Sequence, residues 1–212
     1  MAFTYTDLVV QIKATLNRTN DATFNSQLPN FIQQAQVAIA RDSKFLGFQV
    51  SLTSNFVTAN NGVLQKPDRW RQTISMNYGT GTNNATRNKL LLRTYEYVRN
   101  YWPDPTVLGL PKFYAEYGPS YWLLGPSPDQ AYPFEVLIYM TPTELTSSNQ
   151  ENWLTQYCPD LLLYQCLLQA APYLKNDSRI PTWKMYYEQA RESQKAEFGK
   201  TIVDRQQMVQ GA

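Results

Sequence analysis

The sequence predicts an α+β protein: a helical bundle, made of an N-terminal hairpin and two C-terminal helices, with a β-rich module inserted between them. Three observations carry this. Apolar residues recur at three- and four-residue steps from Leu8 to Ile39 and again beyond position 158, which is the period of a helix that hides one face. Between these regions, short alternating runs are separated by Gly, Pro and Asn, the pattern of strands and turns. Within residues 161–171 the only amide or charged positions are Gln165 and Gln169, and a helix apolar on nearly every side must be enclosed by other elements. The expected divisions are 1–44 for the hairpin, 45–150 for the β-rich insertion, and 151–212 for the helices that complete the bundle and a tail.

Taken in order, Thr4 or Thr6 caps a first helix with Leu8, Val9, Ile12 and Leu16 on its apolar side. Residues 17–25 read as a polar turn, and a second helix starts within 26–29, burying Leu28, Phe31, Ile32, Ala35, Ala38 and Ile39. From Phe45 the period shortens. Val50, Leu52 and the pair Phe56-Val57 sit among Ser and Thr, and Asn60-Asn61-Gly62 has the composition of a hairpin turn. Strands are expected at 73–78 and 89–93 on either side of the loop 79–84, followed by a short helix at 95–102 that stops at Pro103 and Pro105. Three more strands follow at 112–117, 120–124 and 134–139. Pro159 suits the first turn of the apolar helix at 159–175, and Asp160 suits its dipole. Pro172 should kink its last turn. Asp177 or Ser178 caps a final helix that buries Trp183, Tyr187, Ala190 and Phe198 and carries the pairs Glu188–Arg191 and Glu192–Lys195. Gly199 weakens that helix, so 201–212 reads as a separate segment.

Composition narrows the function classes. A net charge of +2 argues against a protein that binds duplex DNA through bulk electrostatics. The charges are nevertheless segregated. Residues 66–99 carry Lys66, Arg69, Arg71, Arg87, Lys89, Arg93 and Arg99 against Asp68 and Glu96, whereas 113–174 has no Lys or Arg but holds Glu116, Asp129, Glu135, Glu144, Glu151 and Asp160. These are either two ordinary solvated faces or complementary surfaces that meet, within one subunit or between neighbours. The N-terminal residues lack the cationic-then-apolar order of a signal peptide. The longest apolar stretch falls short of the roughly 18 residues of a membrane span. A soluble protein assembled in a cytoplasm is expected.

Little in the chain points to catalysis. With no His, the commonest general base and the usual nucleophile triads are missing. Two cysteines and no His make a structural zinc site untenable. Cys158 and Cys166 are eight positions apart, about 12 Å along a helix, too far for a disulfide. Gly79 and Gly81 precede no helix, so they form no dinucleotide fingerprint. Glu144, Glu151 and Asp160 lie close in sequence, as a glycosidase-like pair of carboxylates would require. Arg69, Trp70, Arg71, Arg87, Lys89, Arg93 and Tyr95 interleave bases with aromatics as a nucleic-acid strip would. No catalytic residue, metal ligand or cofactor is assigned.

The segment 149–190 contains Asn152-Trp153-Leu154, Tyr157, Pro159-Asp160-Leu161-Leu162-Leu163-Tyr164, the run Ala170 to Asp177, then Arg179, Trp183 and Tyr187. It resembles the C-terminal helical region of head-to-tail adaptor proteins of tailed bacteriophages, among them those called tail tubular protein A in short-tailed phages. Gly125-Pro126-Ser127-Pro128-Asp129, the 134–139 strand and the Thr4-Tyr5-Thr6-Asp7-Leu8 start fit the same pattern. The likeness is good over the last third of the chain and looser in the middle. It implies a structural connector of the virion neck: a ring, commonly of twelve subunits, between the portal and the tail tube or nozzle, through which double-stranded DNA passes. On that basis the subunit interface is expected to involve Arg69, Arg71, Arg87, Lys89 and Arg93 facing Glu135, Glu144 and Glu151. An alternative has Glu144 or Glu151 lining the channel. Lys195, Phe198, Lys200, Ile202, Arg205 and Met208 are expected to face the portal. The competing readings are a virion-associated peptidoglycan hydrolase using acidic residues and a basic nucleic-acid-binding module.

Overall fold

The structure, a computed structural model, describes residues 3–54, 60–80, 86–175 and 178–209, with the side chains of 54 and 198–209 outside the description. It is a mixed α+β chain with six helices and nine strands among those residues. It divides into two compact units, Met1–Phe48 with Thr141–Ala212, and Gln49–Met140. Residues 45–48 and 141–150, expected in the β-rich insertion, therefore fall in the helical unit. Among the described residues no helix is long and apolar enough to cross a membrane.

In the helical unit, α1 (Tyr5–Leu16) begins at a capping box. Thr4 Oγ1 accepts from the Asp7 amide, and Asp7 Oδ2 accepts from the Thr4 amide. Leu8, Ile12 and Leu16 form its buried stripe. The second helix, α2 (Ala22–Asp42), starts earlier than the sequence suggests. Asp21 caps it through the Phe24 amide, and Phe24, fully buried, sits between Phe31 and Tyr173. The helix continues through Pro29, which has no backbone N–H to give it. A 3-10 turn at Leu46–Phe48 then brings Phe45 and Phe48 against Trp153. The backbone passes so close that a Cβ on Gly47 would overlap the Trp153 ring.

The short α4 (Trp153–Tyr157) leads into α5 (Pro159–Leu174) and then α6 (Ile180–Val209). The helices α1, α2, α4 and α6 all pack on α5. No residue of 161–171 is exposed, and even Gln165 is 6% exposed. Enclosure of the apolar helix is thus achieved within one chain. The last helix does not break at Gly199; its backbone stays helical to Val209, which makes it about 45 Å long. The expected cap Asp177 lies outside the described residues, as do Phe56, Val57, 81–84 of the expected loop, and 210–212.

The second unit holds a seven-stranded sheet in the order β1-β9-β3-β4-β6-β7-β2. Its members are β1 (Gln49–Ser54), β2 (Val63–Gln65), β3 (Trp70–Thr80), β4 (Thr86–Leu92), β6 (Phe113–Tyr117), β7 (Tyr121–Gly125) and β9 (Phe134–Met140); β5 (Leu108–Gly109) and β8 (Ser127–Pro128) form a separate small ladder. Neighbours in the large sheet are antiparallel except β4 and β6. The expected hairpin at Asn60-Asn61-Gly62 is not one. β1 pairs with β9 and β2 with β7, at opposite edges of the sheet. Asn60 is left-handed (φ 66°) and Asn61 Oδ1 accepts from the Val63 amide, so the composition marks a side-chain-stabilised turn rather than a strand reversal. Leu64 of β2 and Ile138 of β9 belong to one core with Met76, Leu90, Tyr114 and Trp122. A sheet whose distant strands share a core must curl. On its other side α3 (Tyr95–Tyr101) lies over β6 and β7, with Val98, Ala115 and Leu123 buried beneath it. It approaches so closely that a Cβ on Gly125 would stand 2.8 Å from Val98 Cγ1 and 3.0 Å from Trp102.

Candidate assembly surface

Strand register decides where the basic residues of the β unit go. Met76 and Leu90 pair across β3 and β4 on the core side, so by the alternation of a strand Arg87 and Lys89 point away from it. Asn77 lies opposite Lys89 on one side and Glu135 on the other, while Gly79 lies opposite Arg87. With no side chain at Gly79 to obstruct it, Arg87 reaches across β3, and its Nε donates to Glu135 Oε2 at 3.0 Å. This joins one predicted basic residue to one predicted acid inside a single chain.

Lys66 is similarly committed. Its side chain is 2% exposed, its Nζ donates to the Gly118 carbonyl at 2.9 Å and ion-pairs with Glu116, and it lies 3.6 Å from the centroid of Trp70. Glu116 Oε1 accepts from Thr73 Oγ1, which in turn accepts from the indole N–H groups of Trp70 and Trp122. Every strong donor in this group has a partner, as a buried polar cluster requires. Trp70 is therefore occupied by packing and cation–π contact, and is not a free ring on which a base would stack. Burial, with the nearby Glu116 charge as a lesser cause, also raises the Tyr114 phenol above its ordinary value.

What the monomer leaves open is the α3 side. Thr94 caps α3 through the Tyr97 amide, and the i,i+4 spacing then sets arginines against rings. Arg93 lies 5.5 Å from both Tyr97 and Phe113; Arg99 lies 5.6 Å from Tyr95 and 6.0 Å from Tyr117. Tyr95 and Tyr117 are themselves stacked at 5.7 Å. Beside these stacks Leu91, opposite Phe113 across β4 and β6, and Tyr101, whose ring lies 4.6 Å from Tyr97, are exposed. This arrangement was missed in the sequence, although Arg93/Tyr97 and Tyr95/Arg99 at helical spacing were the signal that would have found it.

The remaining expected site residues are dispersed. Arg69 sits exposed at a left-handed turn position (φ 62°), and Arg71 and Lys89 are exposed. In the helical unit Glu144 accepts from Gln33 Nε2 and Glu151 accepts from Gln156 Nε2, both on the surface. Asp160 is also exposed. None of these acids has the burial by which a glycosidase holds its proton donor. Lys195 pairs with Glu192 at 3.0 Å, whereas Phe198, Lys200, Ile202, Arg205 and Met208 have side chains outside the description. Cys158 and Cys166 are unbonded and buried. Burial first, then the negative charges of Asp160 and Glu197, pushes the Cys158 thiol up to about 12, and burial raises Cys166 as well. Both are packing residues at neutral pH. Among the described residues no group of three His, Cys, Asp or Glu is placed to hold a metal ion.

Across residues 3–210 the chain matches the model of the SU10 adaptor protein family, and it belongs to that family, whose members are structural adaptors of phages. No curated protein matches the chain.

Proposed function

We propose that this SU10-family adaptor acts in the virion neck as a head-to-tail connector. In this reading identical subunits form a ring, of twelve by analogy with tail tubular protein A-like adaptors, between the portal and the tail tube or nozzle, and double-stranded DNA passes through it. The helical bundle carries the β-rich module. The far end of α6, including Lys195 and the residues 198–208 noted above, faces the portal. The family match over 3–210 carries this reading, because it spans both units rather than a shared helical motif. Supporting it, Arg93 and Arg99 of the β unit lie against aromatic rings beside the exposed Leu91 and Tyr101, a composition more typical of protein contact surfaces than of a solvated face. The interface is drawn from Arg69, Arg71, Arg87, Lys89 and Arg93 on one side and Glu135, Glu144 and Glu151 on the other, with Arg87 and Glu135 already joined in the subunit. No catalytic step and no cofactor is assigned. Mass measurement of the purified chain, alone and mixed with the portal protein of the same phage, tests the reading. A defined multimer, or a stable complex with the portal, is expected; a monomer that ignores the portal refutes it.

A further inference from the structure

We infer that the α3 side of the β unit docks onto the acidic surface around α4 of a second copy of this chain, so that subunits join head to tail. This rests on the ring reading above and specifies which surfaces meet in it.

One half of the contact is the pair of stacked arginines. A guanidinium lying on a ring is held in position while its N–H edge stays available, a geometry suited to receiving a carboxylate with two parallel hydrogen bonds. Neither Arg93 nor Arg99 pairs with a carboxylate among the described residues, whereas Lys66 and Arg87 do. Leu91, opposite Phe113, and Tyr101, whose ring lies 4.6 Å from Tyr97, are 44% and 65% exposed beside them. A nucleic-acid backbone would satisfy the arginines but leave those apolar side chains in water. A protein surface carrying acids beside an aromatic ring covers both.

The helical unit has such a surface. No Lys or Arg occurs between 141 and 174. Tyr157 is 62% exposed, yet its ring is stacked on Trp153 at 5.6 Å, and Trp153 is fixed by Phe45 and Phe48. Gln156 Nε2 lies 3.4 Å from Glu151 Oε2, which keeps that carboxylate beside the same short helix, just before its cap Asn152. Glu151 and Asp160 are exposed and have no ion pair among the described residues. A rigid aromatic ring with unpaired carboxylates complements an arginine–tyrosine face with unpaired guanidiniums. The two surfaces differ, so a copy that offers them to two different neighbours makes a heterologous contact, which propagates from copy to copy until it closes.

The test uses the full chain carrying Asn100→Cys with Gln156→Cys, exposed positions next to Tyr101 and Tyr157 that leave both rings in place, oxidised alone and in the presence of portal protein. The native thiols are both 0% exposed and do not compete. A ladder extending beyond dimer on a non-reducing gel is expected, with no ladder from either single substitution. Arg93→Glu with Arg99→Glu, in a chain whose circular dichroism is unchanged, should abolish the ladder, and adding Glu151→Arg should restore part of it. Multimers by mass with no ladder and no response to charge reversal overturn this contact and leave the ring reading standing. Loss of portal binding in the reversed chain with copy-to-copy assembly intact assigns the surface to another virion protein and also overturns it. A wild-type chain that stays monomeric with the portal overturns both readings together.

Discussion

Replacing Asn152 with alanine removes a side chain on which α2, α4 and the loop at Thr143 all converge. Asn152 is 7% exposed. Its Oδ1 accepts from the amides of Leu154 and Thr155 at 3.0 and 3.3 Å, and its Nδ2 donates to Gln36 Oε1 and to the Thr143 carbonyl, each at 2.8 Å. Loss of the cap costs about 1 kcal/mol. Gln36 is 2% exposed, so removing its partner leaves an acceptor that water cannot easily reach, and that costs about 1–3 kcal/mol more. The Thr143 carbonyl adds a smaller share because its residue is exposed. The expected destabilisation is about 2–4 kcal/mol, which at an m-value of about 2–3 kcal/mol per molar urea moves the midpoint down by about 1–2 M. Equilibrium urea unfolding followed by tryptophan fluorescence measures it, since Trp153 adjoins the site. Asn152→Asp keeps the cap acceptor but loses the Nδ2 donor to both Gln36 Oε1 and the Thr143 carbonyl and turns a carboxylate oxygen toward them, so it should recover no more than the cap's share of about 1 kcal/mol. In a Gln36→Leu background the alanine change should cost about 1 kcal/mol less, because the orphaned acceptor is gone. A midpoint shift under 0.3 M (roughly) for Asn152→Ala, or full additivity with Gln36→Leu, would refute this account of the network.

Lys66→Met should destabilise the β unit by about 2–3 kcal/mol, less than a wholly buried pair would cost, because Glu116 is 42% exposed; thermal melts that match wild type would contradict it. Gly125→Ala should loosen α3 from β7, since the added methyl would press on Val98 and Trp102, and hydrogen exchange at 95–101 should rise. Asp7 is held below the ordinary aspartate range by hydrogen bonds from Thr4, and Asp21 by the Phe24 amide and then Arg18. Lowered values in the folded state mean that this stabilisation is present above about pH 4 and fades as the pH falls through the folded values. Helicity should therefore drop in acid, and Asp21→Asn should flatten that dependence. For the thiols the sign reverses: the folded state keeps Cys158 protonated up to about 12, so stability falls as pH rises from about 9 toward that value. A thiol reagent at pH 8 should label neither cysteine until the chain is unfolded.

Local patterns reported the helices and most strands because those elements follow from period. The apolar run of α5 and the alternation in β3, β6, β7 and β9 are visible in single segments. Two features were not legible because they depend on distant partners. The start of α2 turns on Phe24 finding Tyr173, and the fate of Asn60-Asn61-Gly62 on β1 pairing with β9 rather than β2. The segregation of charge was plain in the sequence, but its division was not. Arg87 and Lys66 are joined to acids within the subunit by sheet register and burial, whereas Arg93 and Arg99 are held by rings that only α3 and β6 bring together.

The enclosure of α5 by its own chain has a bearing on supply. A subunit whose most apolar helix borrowed cover from a neighbour would have no stable existence alone, and its folding would depend on its own concentration. Here residues 161–171 are already sheltered, so newly made chains can accumulate as finished, long-lived parts. An assembly that drew on such chains would be limited by encounter between finished parts, a rate set by abundance and surface chemistry, rather than by a folding step.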